Sequence, residues 1–85
     1  MNRFHYTEIG EPIKVGAVFD NSRIKPKWFI WNRKKYSISE ITYNWVDKNR
    51  GIKHYFFSAW DGKDLYELSF NMKFLTWRLE KIYLE

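Results

Sequence analysis

The chain has no cysteine, only two histidines, two prolines and four glycines, and no long apolar run. Without cysteine there is no disulfide framework, which suits a reducing cytosol. His5 and His54 stand far apart, and no His/Cys/Asp cluster has the spacing of a metal site. The glycines are isolated, so there is no phosphate-cradling loop, and no Gly-x-Ser-x-Gly elbow accompanies the serines. No pair of carboxylates is marked for acid–base work. Nothing approaches the roughly 18 consecutive apolar residues of a membrane span, and residues 1–8 lack the apolar core of a signal peptide. The expectation is a soluble, cytoplasmic, non-enzymatic protein with no membrane partner, no cofactor and no metal.

The chain has aromatic rings and positive charge instead. Eighty-five residues make one domain, and a domain this small buries only about 60–65% of its unfolded surface. Small domains often add disulfides or metals. Here 21% of the residues are aromatic, and each buried ring removes roughly 150–250 Å² from water, so rings take the place of a larger aliphatic core. The net charge of +5 is uneven. Residues 1–35 hold eight Lys/Arg against three Asp/Glu, whereas residues 36–85 hold seven of each. The excess is densest where Arg23, Lys25, Lys27, Arg33, Lys34 and Lys35 follow one another with no acid between them. Such asymmetry bears on partners and leaves the fold open.

Periodicity predicts an all-β chain. Residues 1–11 read as an N-terminal arm or weak strand, followed by a single β domain over residues 12–85. Ile13, Val15, Ala17 and Phe19 alternate with Lys14, Gly16 and Val18, which marks a half-buried strand. Asp20, Asn21 and Ser22 form a turn. Pro26 donates nothing to a ladder, so the second strand is expected to start near Lys27 and reach Trp31. Phe29 and Trp31 share one face of it, and Trp28 and Ile30 share the other. Residues 32–35 read as a tight basic turn. A third strand shifts phase between Tyr36/Ile38 and Ile41/Tyr43/Trp45, which calls for a bulge or sharp coil near Ser39 and Glu40. Residues 47–51 form a polar loop. In the fourth strand Tyr55 and Phe57 oppose Phe56 and Trp60. Asp61-Gly62 is the strongest hairpin signal, of type I′. Tyr66, Leu68 and Phe70 then point inward, with Glu67 and Ser69 outward. The last segment shifts phase near Glu80 and Lys81, through a second bulge or a short C-terminal helix. The whole is expected to be a small antiparallel meander of five to six strands, curled into a barrel-like or strongly twisted sheet.

Laid out this way, the large residues resemble a family of uncharacterised bacterial β proteins, the DUF6504 type, over residues 12–82. The matching features are Pro12-Ile13-x-Val15, Phe29-x-Trp31, Tyr36-x-Ile38, Ile41, Trp45, Tyr55-Phe56, Tyr66-Glu67-Leu68 and Trp77-x-Leu79. Members of that family resemble accessory domains and are sometimes associated with translesion DNA polymerases of the Y type. The resemblance therefore implies a DNA-linked role, in DNA repair or translesion synthesis. The family defines no functional residues to carry over.

Two functions follow from the residues. The first is nucleic-acid binding. Lys and Arg neutralise phosphates whatever the base sequence, and exposed rings stack on bases. Arg23, Lys25, Lys27, Trp28, Arg33, Lys34 and Lys35 supply both, against the plain alternative of a solvated turn that keeps a strand edge unpaired. The second is a protein-interaction or homodimer module, because interfaces favour Trp, Tyr and Arg.

Overall fold

A computed structural model describes residues 5–84 and shows seven strands: β1 (His5–Asp20), β2 (Arg23–Trp31), β3 (Lys34–Ser37), β4 (Glu40–Asn49), β5 (Ile52–Trp60), β6 (Leu65–Asn71) and β7 (Thr76–Leu84). They form one antiparallel sheet in the order β3-β2-β1-β7-β6-β5-β4. The all-β, antiparallel expectation agrees with this, but the strand count, the barrel and the helix do not. Residues 5–11, read from the sequence as an arm or weak strand, are the first part of β1. Residues 1–4 of that arm lie outside the described residues.

There are seven strands because the expected third strand is two. Its phase change is met by a break at Ile38 and Ser39, where the Ile38 amide donates to the Lys27 carbonyl (2.9 Å) and the Ser39 amide to the Trp60 carbonyl (2.7 Å). In those two residues the chain crosses from the β3 edge of the sheet to the β4 edge. The sheet is therefore rolled until its edges meet at one point, but it does not close into a barrel. β3 has four residues and covers only Trp28 to Trp31 of β2. Beyond them, the first half of β2 and the outer edge of β4 have no strand between them among the described residues.

The roll comes from β1. Its first half, to Ile13, pairs with β7, and its second half, from Lys14, pairs with β2. One strand so serves two halves of the sheet and folds Phe29 of β2 onto Tyr66 of β6, their rings edge-to-face at 5.1 Å. Phe29, Ala59, Tyr66, Leu68 and Leu79 form the buried core, with Ile9, Ile13, Val15, Trp31, Tyr36 and Ile82 among the residues packed around it. Tyr36 stacks on Phe29 at 4.9 Å and 9°.

The C-terminal segment is a strand. β7 lies between β1 and β6, so both its edges are committed to ladders. The expected phase change is there. Against β6, Leu79 pairs with Leu68 and Lys81 with Glu67, so Glu80 is the extra residue; against β1 the extra residue is on the other strand, where Ile9 and Gly10 lie opposite Glu80. Its carboxylate accepts from Ser69 Oγ (2.6 Å) and lies 3.5 Å from Arg78 Nε. β6, central in its half of the sheet, is buried on both faces. Glu67 and Ser69 point outward as expected, yet are only 6% and 1% exposed.

Pro26 sits inside β2, which starts at Arg23 and not near Lys27. Gly16 faces Trp28 and Ala17 faces Pro26, so Lys27 is a bulged residue and the ladder to β1 is interrupted beside the proline. No β3 residue pairs with the other edge there. Proline is tolerated at such a place.

Three two-residue hairpins have both residues at positive φ, the signature of the I′ turn: Asn21/Ser22 (48°, 65°), Asn32/Arg33 (52°, 63°) and Arg50/Gly51 (54°, 79°). Asp61-Gly62, expected to be such a turn, is not one. Only Gly62 has positive φ there. Asp61 Oδ1 instead accepts from the amides of Lys63 (2.8 Å) and Asp64 (2.7 Å), which spreads the loop over four residues. In the β6–β7 turn Leu75 holds φ at 58° with its side chain 67% exposed. The left-handed conformation costs a residue with a Cβ about 1–2 kcal/mol, and glycine gives back about 0.4–1 through the unfolded chain. Leu75→Gly is expected to stabilise the fold by about 0.5–1 kcal/mol, read as a rise of a few degrees in Tm.

Candidate functional site

β2 is the middle strand of a three-stranded corner, and its register sets which side chains share a face. Phe29 and Trp31 point to the core with Val15 and Tyr36. Trp28 and Ile30 therefore point out. Row by row, the outer face reads Lys14–Ile30–Lys35, Gly16–Trp28–Ser37, Val18–Lys25 and Asp20–Arg23. It carries Lys14, Arg23, Lys25 and Lys35 on the same face as the Trp28 indole. Asp20 is the one carboxylate in these rows, 3.6 Å from Lys25 Nζ, with both side chains about half exposed.

Of the residues singled out in the sequence, Arg23, Lys25, Trp28 and Lys35 share this face. Lys27 is the exposed bulge residue beside it, and Arg33 is exposed at the turn beyond it. Lys34 departs from the group. It pairs with Trp31, its ammonium lies 5.3 Å from the Tyr36 ring, and it lines a second cleft of about 460 Å³ together with Asp61, Lys63 and Asp64. Trp28 is half-buried. Its indole lies on Gly16, where an added Cβ would fall inside the ring, and the Lys35 ammonium sits over the ring at 5.1 Å.

The first half of β2 also forms one wall of a cleft of about 480 Å³, along the line where the rolled sheet stays open. Arg23, Ile24 and Lys25 face Ile41, Trp45 and Val46 of β4 across it, and β5 contributes to the floor. Among the described residues no carboxylate lines this cleft.

The outer face of β4, beside this cleft, carries rings that the sequence pattern hid: Trp45, which also lines the cleft, and Tyr43, which does not. Ile41, Tyr43 and Trp45 alternate as if all three were buried on one face. Thr42 is bulged between Ile41, which pairs with Ala59, and Tyr43, which pairs with Ser58. The bulge leaves Ile41 on the core side and turns Tyr43 and Trp45 outward. Tyr43 is 66% exposed. Trp45 lies 5.5 Å from Tyr43 and stacks on Phe56 at 5.1 Å and 5°.

Comparisons with protein-family models, curated proteins and solved structures found no match to this chain.

The perturbed ionisable groups lie elsewhere. Burial pulls the Asp61 carboxyl up, but hydrogen bonds from the Asp64 and Lys63 amides and the Tyr66 hydroxyl outweigh it and hold it below the usual carboxylate range. Burial, then the nearby Asp61 and Asp64 carboxylates, push Tyr66 well above an ordinary phenol. Burial and Glu67 raise Tyr83, whose hydroxyl donates to Glu67 Oε1 at 3.2 Å. These shifts run away from neutrality, carboxyl down and phenols up. Each group is thus a fixed hydrogen-bond partner across the neutral range and serves the fold. Among the described residues no group of three or more His, Cys, Asp or Glu gathers as metal ligands, and no helix is long and apolar enough to cross a membrane.

Proposed function

We propose that this chain is a small non-enzymatic binding domain that holds nucleic acid on the outer face of β1, β2 and β3. One observation carries the reading: three strands present Lys14, Arg23, Lys25 and Lys35 on one face against a single carboxylate, Asp20. Phosphates are attracted to such a face whatever the base sequence, and each phosphate neutralised releases counterions. Lys27 and Arg33 extend the field at its margins, and Trp28 gives the face a flat apolar centre. The resemblance to the DUF6504 type adds a context, a cytoplasmic accessory role beside a DNA polymerase in repair or translesion synthesis.

The test is the salt dependence of binding. Wild-type affinity for a labelled DNA, read by fluorescence anisotropy between about 50 and 200 mM salt, is expected to fall linearly on a log–log plot, with a slope near −0.7 to −0.9 per phosphate contacted. The triple variant Arg23→Glu/Lys25→Glu/Lys35→Glu is expected to bind more weakly and to lose about two to three from that slope. Lys34→Glu, on the other side of the strand, is expected to change it less. Equal slopes for the wild type and the triple variant would remove the face from consideration.

A second reading, a protein-interaction or homodimer module, is favoured by the β6–β7 turn, where Met72, Phe74 and Leu75 are 38%, 64% and 67% exposed. Apolar side chains gathered at one turn are unusual on a monomer's surface when they form a continuous patch. A dimer by light scattering that persists in high salt, with no DNA bound, would select this reading over the first.

A further inference from the structure

The basic face does not by itself choose between single and double strands. The ring that sequence reasoning offered for stacking, Trp28, is already engaged by Gly16 beneath and Lys35 above. Across the cleft Trp45 lines the β4 side, and Tyr43 lies 5.5 Å from it on the outer face of that strand. We infer that the ligand is a single-stranded nucleic acid lying along the open line of the sheet, its phosphates on Arg23 and Lys25 and its bases on Tyr43 and Trp45. The inference rests on the basic-face reading and names the ligand class for it.

Three observations converge. First, the bulge at Thr42 turns Tyr43 and Trp45 away from the core. Packing does not account for Tyr43. The Trp45–Phe56 stack is an ordinary cross-strand pair that stabilises an edge, whereas Tyr43 reaches only Trp45 among the rings and stays 66% exposed. Second, Arg23 and Lys25 line the cleft on the side facing Trp45, and no carboxylate among the described residues lines the space between. The Asp20–Lys25 pair lies on the solvent side at 3.6 Å, half exposed, where water and salt screen it. On β4, Glu40 and Asp47 share the outer register with Tyr43 and Trp45 and flank them in sequence, which places the phosphates on the β2 side. Third, a cationic wall opposite a row of rings matches the chemistry of a single strand, which has one charged edge and one edge of flat bases. In a duplex both faces of each base are already stacked on neighbours, so the rings would have nothing to hold.

The test uses the whole chain with a short labelled oligothymidylate, the corresponding oligouridylate and a DNA hairpin duplex. The wild type is expected to bind the thymidylate more tightly than the duplex, and the thymidylate-to-uridylate ratio reads the sugar and the thymine methyl group together. Tyr43→Ala is expected to weaken single-strand binding roughly tenfold, one stacking contact, and to leave duplex binding unchanged. Tyr43→Phe keeps the ring and should restore affinity. Tyr43 is exposed, so the variant retains its fold, and circular dichroism checks this. If Tyr43→Ala and Trp45→Ala, both folded, bind the thymidylate like the wild type while Arg23→Glu/Lys25→Glu does not, the stacking inference is overturned and the basic face stands. If the wild type binds neither single strand nor duplex at low salt, the underlying reading fails with it.

Discussion

Phe29→Ala is expected to destabilise the domain by about 3–5 kcal/mol, the usual cost of emptying a buried aromatic site. Proteins hold about 0.05–0.15 kcal/mol per residue, so a chain of 85 residues has about 4–13 kcal/mol in total. One substitution would thus remove roughly a quarter of it or more. The effect is large because of where the ring sits. Phe29 is 0% exposed, stacks on Tyr36 and meets Tyr66 edge-on, so it joins β2 and β3 to β6 across the roll of the sheet. β2 and β3 share no ladder with β6, so the cluster adds side-chain packing across the roll to the backbone link that β1 makes between the two halves. Urea denaturation measures the loss as a drop in midpoint. Phe29→Leu keeps much of the volume and is expected to cost less than half as much. A loss under about 1 kcal/mol for Phe29→Ala would mean that the site collapses freely, which is incompatible with Phe29 joining the two halves.

The strands themselves were legible, because period-two alternation is a local property. Tyr55/Phe57 against Phe56/Trp60, and Tyr66, Leu68 and Phe70 inward, are placed as their spacing predicts. The phase shifts were legible too, and the one at Glu80 is a bulge. What spacing cannot express is how a phase shift is resolved. The one near Ser39 became a strand break, because the chain there must cross between sheet edges and give its amides to two different strands. That choice depends on contacts with Lys27 and Trp60, far away in sequence. The Thr42 bulge was hidden for a related reason. Ile41, Tyr43 and Trp45 fit an alternating template, and only the pairing with Ala59 and Ser58 shows that Tyr43 and Trp45 take the face opposite to Ile41. The candidate site divides in the same way. The concentration of cations over residues 23–35 was visible as composition, but the face each one takes follows from the bulge at Lys27 and the turn at Asn32-Arg33, which send Lys35 outward and Lys34 to the other side. Asp61-Gly62 misled because the dipeptide fits more than one turn, and the hydrogen bonds from Asp61 to Lys63 and Asp64 select the longer one.

Gly16 shows how closely the corner is packed. A glycine in a strand interior weakens the strand and often marks the close approach of another group, and here the group is the Trp28 indole. Gly16 does not have positive φ, so its backbone would accept alanine readily. Only the ring forbids it. Gly16→Ala must therefore push the indole off β1, at an expected cost of about 1–3 kcal/mol, the range for overpacking a filled site. In a Trp28→Ala background the space is open, and the same Gly16→Ala change should become neutral or gain about 0.5–1 kcal/mol from the entropy that glycine loses on folding. The coupling energy of this double-mutant cycle, expected above about 1 kcal/mol, isolates the ring–glycine contact from everything else at the site. Additive effects would show that the indole lies elsewhere in solution. The cycle also bears on binding. If Trp28 only braces the basic face, displacing it leaves Lys35 free to move and alters affinity for single strand and duplex alike. Loss of single-strand affinity alone would instead assign base stacking to Trp28, beside or in place of Tyr43. Reading the cycle by both stability and binding therefore separates the ring that holds the face together from the ring that meets the ligand.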